Sequence, residues 1–460
     1  MIETLLSIAV AFVAGCAAVF GSGVRRPLLR AMGEAWLLGI ALCAGSLFAL
    51  ALAGIAWSLA RALIVVAVVT AVLMIVGLRR RATEENAASD AGDRRSWVSA
   101  IFDLLTAATI AGYALLATAG PLAEIDFVAM WGLKARAFWI ARGLDWSFLE
   151  SPWYNWIHAD YPPLLPLTFD WTTLFQGQWD DRWLGALYPC FALAVLLIIR
   201  SLLEEELGSP VYAAAVTLAL APAAASPWIG IAEGPLLAYG TAGVLLLRRA
   251  LRDQIADRRS QIAGSTGALS IEYASLFLGC AAATKNEGMA LLLAAALAML
   301  VSTRNRAAVW RLWPAVAIAA PWLLVRAVFS FSTDLARGQP WLRVIENARH
   351  LSVLMHGIAA QTSGHYLFWI GVIAALVLSF RRAVHEERLV LVTVGLLLLF
   401  DVIASLSTAQ GVAWLVRWSW ERLLAQVALM AGFTAAVLID GVRASRPQPP
   451  DVSSGGLAPR

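Results

Sequence analysis

The sequence predicts an all-α fold, a polytopic bundle of about thirteen membrane-spanning helices, and three observations lead to it. Apolar-type residues fill 60% of the 460 positions and charged residues only 14%, whereas a soluble domain is 45 to 50% apolar and about 25% charged. The apolar residues are gathered in runs, and since one span takes about 20 of them, the excess divides into roughly thirteen helices. Long segments of alternating hydropathy, which would mark an outer-membrane barrel, do not occur.

In chain order the runs lie near 3–22, 35–58, 62–78, 97–119, 184–200, 210–228, 235–247, 271–284, 288–302, 309–328, 365–380, 389–406 and 423–440. The first begins Met-Ile-Glu with no basic stretch before it, and Arg25, Arg26 and Arg30 follow it. It therefore reads as a retained helix whose amino end lies outside. Alternating the connections from there puts about two thirds of the 35 basic residues on the cytoplasmic side, as the positive-inside rule requires.

Three divisions follow. Residues 1–96 form an N-terminal three-helix membrane segment, 97–440 the main membrane domain, and 441–460 a Pro-, Ser- and Gly-rich cytoplasmic tail expected to be disordered. Three outer segments are too long for simple turns: 120–183, 329–364 and 407–422. The first contains Lys134-Ala-Arg-Ala-Phe-Trp-Ile-Ala-Arg142, whose spacing predicts an amphipathic helix lying on the membrane surface.

Several chemistries are excluded or unsupported. Cys16, Cys43, Cys190 and Cys280 stand singly inside apolar runs, so neither a disulfide framework nor a zinc module is indicated. No phosphate-binding GxxxxGK[ST] loop, dinucleotide GxGxxG turn or GxSxG elbow is present. The net charge of +4 follows from the cytoplasmic arginines, and nucleic acid is not an expected partner.

The chemistry-bearing residues gather on the outer side. Glu124-Ile-Asp126 sets two carboxylates at a membrane boundary, where they can take a divalent cation through oxygen or a proton from a hydroxyl. The sequence leaves the metal requirement open, and no other cofactor is indicated. Alone, this spacing is as well explained by a solvated loop start. It is followed by the run from Asp126 to Arg136, then Gly143-Leu-Asp-Trp146 and His158-Ala-Asp-Tyr-Pro-Pro-Leu164. In that order the pieces resemble the GT-C fold glycosyltransferases that use polyprenyl-phosphate sugars, the class of the protein O-mannosyltransferases and the lipid A aminoarabinose transferases. Ile231-Ala-Glu-Gly-Pro-Leu236, Ala283-Thr-Lys-Asn-Glu-Gly288 and Trp418-Ser-Trp-Glu-Arg422-Leu-Leu are similar to three later elements of those families.

The resemblance implies a catalytic Asp126 with Glu124 as its partner, and donor-phosphate contacts from Lys285, Arg422 and Lys134. His158, Tyr161, Glu233 and Glu287 are implied as substrate or metal contacts. Lys134 and Lys285 are the only lysines, and a compact ammonium at a membrane boundary is a good point-charge partner for a phosphate. A lone histidine is more often structural, and Arg326 and Arg417, near the ends of spans, can equally snorkel to headgroups. Trp131, Trp139, Trp146, Trp153, Trp156, Trp171 and Trp179 mostly fit an interfacial belt. Asp103 and Asp401 lie within spans, where an ionisable group is a functional hypothesis by default. Asp103, near the cytoplasmic end, is expected to make a helix-packing hydrogen bond.

The expected function is transfer of a sugar from a polyprenyl-phosphate donor to a glycan, lipid or protein acceptor at the periplasmic face of a bacterial inner membrane. The donor should be a lipid because a nucleotide sugar is not available there. The rival class is a transporter or flippase of lipid-linked sugars, which would show internal repeats and charges near the bilayer midplane. No repeat of the loop motifs occurs, and Asp401 alone lies near mid-span. An inactive scaffold is the third alternative. The topology makes a direct prediction: with the native cysteines removed, cysteine replacing Glu150 or His350 reacts with an impermeant thiol reagent added outside intact cells, and cysteine replacing Ala256 does not. Labelling at 256 would overturn the outer-face assignment.

Overall fold

The computed structural model describes residues 1–24, 26–82, 96–226, 228–260, 266–303, 305–333, 339–408 and 411–444. The tail expected to be disordered lies almost wholly outside them. No strand occurs among the described residues. The helices are α1 (Ile2–Gly21), α2 (Leu28–Leu52), α3 (Leu59–Ala82), α4 (Trp97–Ala117), α5 (Gly132–Ala141), α6 (Trp146–Glu150), α7 (Leu164–Gln176), α8 (Leu187–Leu207), α9 (Pro210–Ala224) and α10 (Glu233–Ser260). They continue as α11 (Thr266–Thr284), α12 (Asn286–Ser302), α13 (Trp313–Val328), α14 (Pro340–Asn347), α15 (Leu351–Thr362), α16 (Tyr366–Leu378), α17 (Phe380–Glu386), α18 (Arg388–Leu406) and α19 (Val412–Ala444).

Among the described residues nine helical stretches are long and apolar enough to cross a membrane, and Pro210–Ala224, Ile271–Thr284 and Asn286–Ser302 are shorter apolar helices. The architecture is a helical membrane bundle. Its helix ends follow from local sequence: Ser96 and Ser209 accept hydrogen bonds from the first-turn amides of Val98 and Tyr212, while Gly177 and Gly208 close α7 and α8 with left-handed backbone.

Bilayer lipid is as apolar as leucine, so packing between spans depends on close approach and on internal hydrogen bonds. Gly15 of α1 and Gly39 of α2 face each other so closely that a Cβ on either would collide with the carbonyl of Ala35 or of Ala11. Three tyrosines tie distant elements together: Tyr239 Oη donates to Leu37 O at 2.8 Å, Tyr188 to Ile231 O at 2.8 Å and Tyr113 to Ser226 O at 2.7 Å. At the far end of α10, Arg248 donates to Glu206 at 2.8 Å and to Glu387 at 2.6 Å, and Arg252 donates to Glu387 at 2.8 Å. Arg200 likewise donates to Asp103 at 2.9 Å, so Asp103 joins α4 to α8.

The segments expected as long loops are largely helical. Within 120–183, the helix expected around 134–142 is α5, which is exposed at Arg136, Ile140 and Ala141. It buries Gly132, Lys134, Ala135 and Phe138 and packs against α7. Helix α7 is buried from Leu164 to Leu174 and packs on α1, α2 and α11; the hydropathy of 164–176, broken by Asp170 and three threonines, does not announce a buried helix of this kind. Within 329–364 lie α14 and α15, and 412–422 is the start of α19, which runs 33 residues without a break.

The α1/α2 contact is expected to be the least tolerant of added volume. Replacing Gly39 by Val should lower stability by about 1–3 kcal/mol through overpacking, read as an earlier thermal transition in detergent. An unchanged transition would show that the two helices part at no cost.

Candidate functional site

The segment after α4, the turn at 158–161, the start of α10, the α11/α12 junction, the end of α18 and the first turns of α19 converge, with Thr333 and Arg343, on a cavity of about 520 Å³. Asp126 stands immediately before a π-helical turn, Phe127–Trp131. Phe127 fixes that turn by packing edge-on to Phe169 at 5.6 Å and against Gly230, whose φ of +98° and lack of a side chain let the ring approach. Glu233 opens α10, and its approach is set by the Tyr188 bond to Ile231 O. Lys285 lies in extended backbone between α11 and α12. The junction can be that tight because Gly288 rests on the backbone of Ala281, where a Cβ would collide.

Charges alternate across the cavity. Arg422 of α19 donates to Asp126 Oδ2 and lies 3.6 Å from Glu233 Oε1. Lys285 Nζ is 3.0 Å from the same Glu233 oxygen and 2.8 Å from Glu287 Oε1. Asp401, 1% exposed, lines the same wall. Three buried carboxylate oxygens here have no hydrogen-bond partner: Glu233 Oε2, Glu287 Oε2 and Asp401 Oδ2. A buried acceptor without a donor is costly, and all three belong to residues that line the cavity.

One side of the cavity is aromatic. Tyr161 is stacked between His158, at 4.7 Å, and Trp131, at 5.5 Å. Asp160 accepts from Asn286 Nδ2 at 2.6 Å, and Arg326 donates to Asn286 Oδ1 at 3.4 Å. Burial pushes the Asp160 carboxyl up, against the opposing pull of His158, Asn286, Lys134 and Arg326.

Of the residues singled out by sequence, Asp126, His158, Tyr161, Glu233, Lys285, Glu287 and Arg422 line this cavity. Glu124 is not on the lining, but lies within electrostatic reach; partial burial, then the Asp126 carboxylate, raises its pKa, with Arg422 opposing and Glu233 adding to the rise. Lys134 does not reach the cavity. It is fully buried and donates from Nζ to His158 O at 2.9 Å, so it holds a turn instead of meeting a phosphate. Arg417 is also absent from the lining and lies 6.0 Å over Trp418.

Sequence reasoning passed over Asp160, Asn286 and Arg343, all of which line the cavity. Asp160 and Asn286 each sit beside a residue that was selected, whereas Arg343 had no motif around it. Among the described residues no group of three or more histidine, cysteine or acidic side chains is arranged to hold a metal ion. Asp126, half of the pair that would have held one, is engaged by Arg422. Comparison of the chain with models of known families, with curated proteins and with solved structures gives no match in any of the three.

Burial lowers the Lys134 pKa to about 7, with Asp160 opposing. In the unfolded chain a lysine keeps a proton up to about pH 10.4. Between these values the unfolded state binds more protons, so this group makes stability rise with pH, by at most about 1.4 kcal/mol per unit. Thermal unfolding at pH 7 and pH 10 should therefore show wild type gaining on Lys134→Met as pH rises. A constant gap would mean that Lys134 stays charged in the fold.

Proposed function

We propose that the chain is an integral membrane glycosyltransferase of the GT-C type, which moves a sugar from a polyprenyl phosphate to an acceptor hydroxyl at the periplasmic face of a bacterial inner membrane. The observation that carries this reading is the meeting of Asp126, Lys285 and Arg422, from three separate motifs, around one cavity with orphan carboxylate oxygens. Thirteen spans with the amino end outside would put that cavity at the outer face.

The chemistry is a displacement at the anomeric carbon. The acceptor oxygen attacks as its proton passes to Asp126, and the bond from the anomeric carbon to the phosphate oxygen breaks with its electrons going to phosphate. Inversion follows from attack opposite the leaving group. A phosphate is already a good leaving group, so stabilising its charge matters more than protonating it. Lys285 and Arg422 are suited to that, and Glu233, Glu287 and Asp401 to the sugar hydroxyls.

In the resting site both cations are already engaged by carboxylates. An arriving phosphate competes with Asp126 for Arg422, and an Arg422 that turns to phosphate leaves the Asp126 oxygens to the acceptor. Donor binding thereby prepares the base. Support for an enzyme over a flippase comes from the same balance, since carriage of an anion gains nothing from carboxylates on both of its cations.

Deleting the gene should abolish one envelope glycan modification and accumulate its isoprenoid-linked sugar, detected by mass spectrometry. Complementation with Asp126→Asn should restore the membrane protein but not the modification. Restoration by Asp126→Asn would remove it as base, and donor confined to the cytoplasmic leaflet would indicate the flippase.

Arg422→Met removes a charge-assisted hydrogen bond of about 1.5–3 kcal/mol, or roughly 10- to 150-fold. The loss should fall on donor KM if Arg422 holds phosphate throughout, or on kcat if it acts on the growing charge. Acceptor KM should stay near wild type, and unchanged donor kinetics would defeat the assignment.

A further inference from the structure

Beside the main cavity lies a second one of about 300 Å³, and Asp160 lines both. Glu150, Ser151, Ser330 and Ser332 give the second cavity polar groups, and Phe329 and Phe331 give it an aromatic wall. That wall is stiff: Phe329 stacks on Trp146 at 4.7 Å with 7° between planes, and on Phe331 at 5.5 Å with 16°. Asp160 is 3% exposed, and its main-chain oxygen accepts from Trp322 Nε1 at 3.1 Å. Two non-glycine residues with left-handed backbone stand at or next to this cavity, His158 at φ 50° and Ser330 at φ 55°. Such strain persists only where surrounding structure enforces it, often at binding sites.

The lining selects a ligand by its chemistry. No lysine or arginine lines the second cavity, so a phosphate or carboxylate there would meet Glu150 and Asp160 without a cationic partner among the lining residues. Carboxylates and serine hydroxyls instead suit a ligand rich in hydroxyl groups, and the apolar surface of Phe329 and Phe331 can meet the C–H groups of a sugar ring. The two cavities thus differ in kind. The first has cations and orphan carboxylates, the second hydroxyls, carboxylates and rings.

We propose that the second cavity binds a hydroxyl-rich carbohydrate, which would be the acceptor delivered past Asp160 to the first cavity. Its role as acceptor rests on the glycosyltransferase reading above, whereas carbohydrate binding does not. Ser151→Trp fills the cavity, and Glu150→Ala removes one rim acceptor with little demand on the fold.

The test is saturation-transfer NMR on the full chain in detergent with a panel of neutral methyl hexosides, and native mass spectrometry with undecaprenyl phosphate on the same samples. Wild type should show ring-proton transfer from at least one glycoside, Ser151→Trp should lose at least tenfold of that affinity, and Glu150→Ala should lose a few-fold. Retained undecaprenyl phosphate shows that a variant is folded. If Ser151→Trp loses both ligands, Glu150→Ala decides: weaker glycoside with lipid phosphate retained upholds the site, and unchanged glycoside overturns it. No glycoside bound by wild type, equal binding by Ser151→Trp, or binding of spermidine in place of glycosides would overturn it too. Glycoside binding without any undecaprenyl phosphate binding would sink the donor assignment and leave the carbohydrate site standing.

Discussion

Glu233 is the charge on which the site depends. One of its oxygens lies 3.0 Å from Lys285 and 3.6 Å from Arg422, two cations that would otherwise repel across the cavity. Unit charges 4 Å apart interact by about 4 kcal/mol at an effective dielectric of 20. A single carboxylate between them turns that repulsion into two attractions. The remaining partners then fall into place, with Glu287 on Lys285 and Asp126 on Arg422. The alternation of charge lets four chain segments bring these groups together without leaving like charges unopposed.

Much of the bundle was legible in the sequence because a span declares itself by length and apolarity alone. The residues of the main cavity were legible for another reason, since Asp126, Lys285 and Arg422 each sit in a short motif with its own resemblance. Arg343, which reaches the same cavity from α14, has no such surroundings. Hydropathy was misleading where a helix is buried against protein and not lipid: α7 is interrupted by Asp170 and threonines, and so reads as loop. It also gave the wrong start for α19, whose first turns carry Arg417, Glu421 and Arg422 although they continue the last span.

Lys134 shows the limit of reasoning from residue rarity. One of only two lysines, it shares an apparent outer-face location with Lys285, yet the two have opposite surroundings. Lys285 has two carboxylates within 3.0 Å, while the ammonium of Lys134 is buried against a carbonyl and the face of Trp131, 5.5 Å away. Nothing in the local sequence separates them. What separates them is that Lys134 lies on the buried face of α5, the helix that docks on α7, a tertiary outcome.

The buried position of Lys134 acquires a purpose in the turn it holds. The His158 carbonyl is bound by Lys134 from one side, the Asp160 carbonyl by Trp322 from the other, and the Asp160 carboxylate by Asn286. Three residues from α5, α13 and α12 thus pin a three-residue segment whose first member has left-handed backbone. A segment pinned on both faces is a rigid wall, and this one carries Asp160 between two cavities of different chemistry. On the proposed reading, rigidity is what the position requires. A hydroxyl must approach the anomeric carbon from the side opposite the phosphate, and effective in-line attack depends on holding the reacting atoms about 3–3.5 Å apart. A mobile partition would let the two ligands or water into each other's place, whereas one fixed by a lysine, a tryptophan and an asparagine from separate helices sets the angle of approach before either ligand arrives.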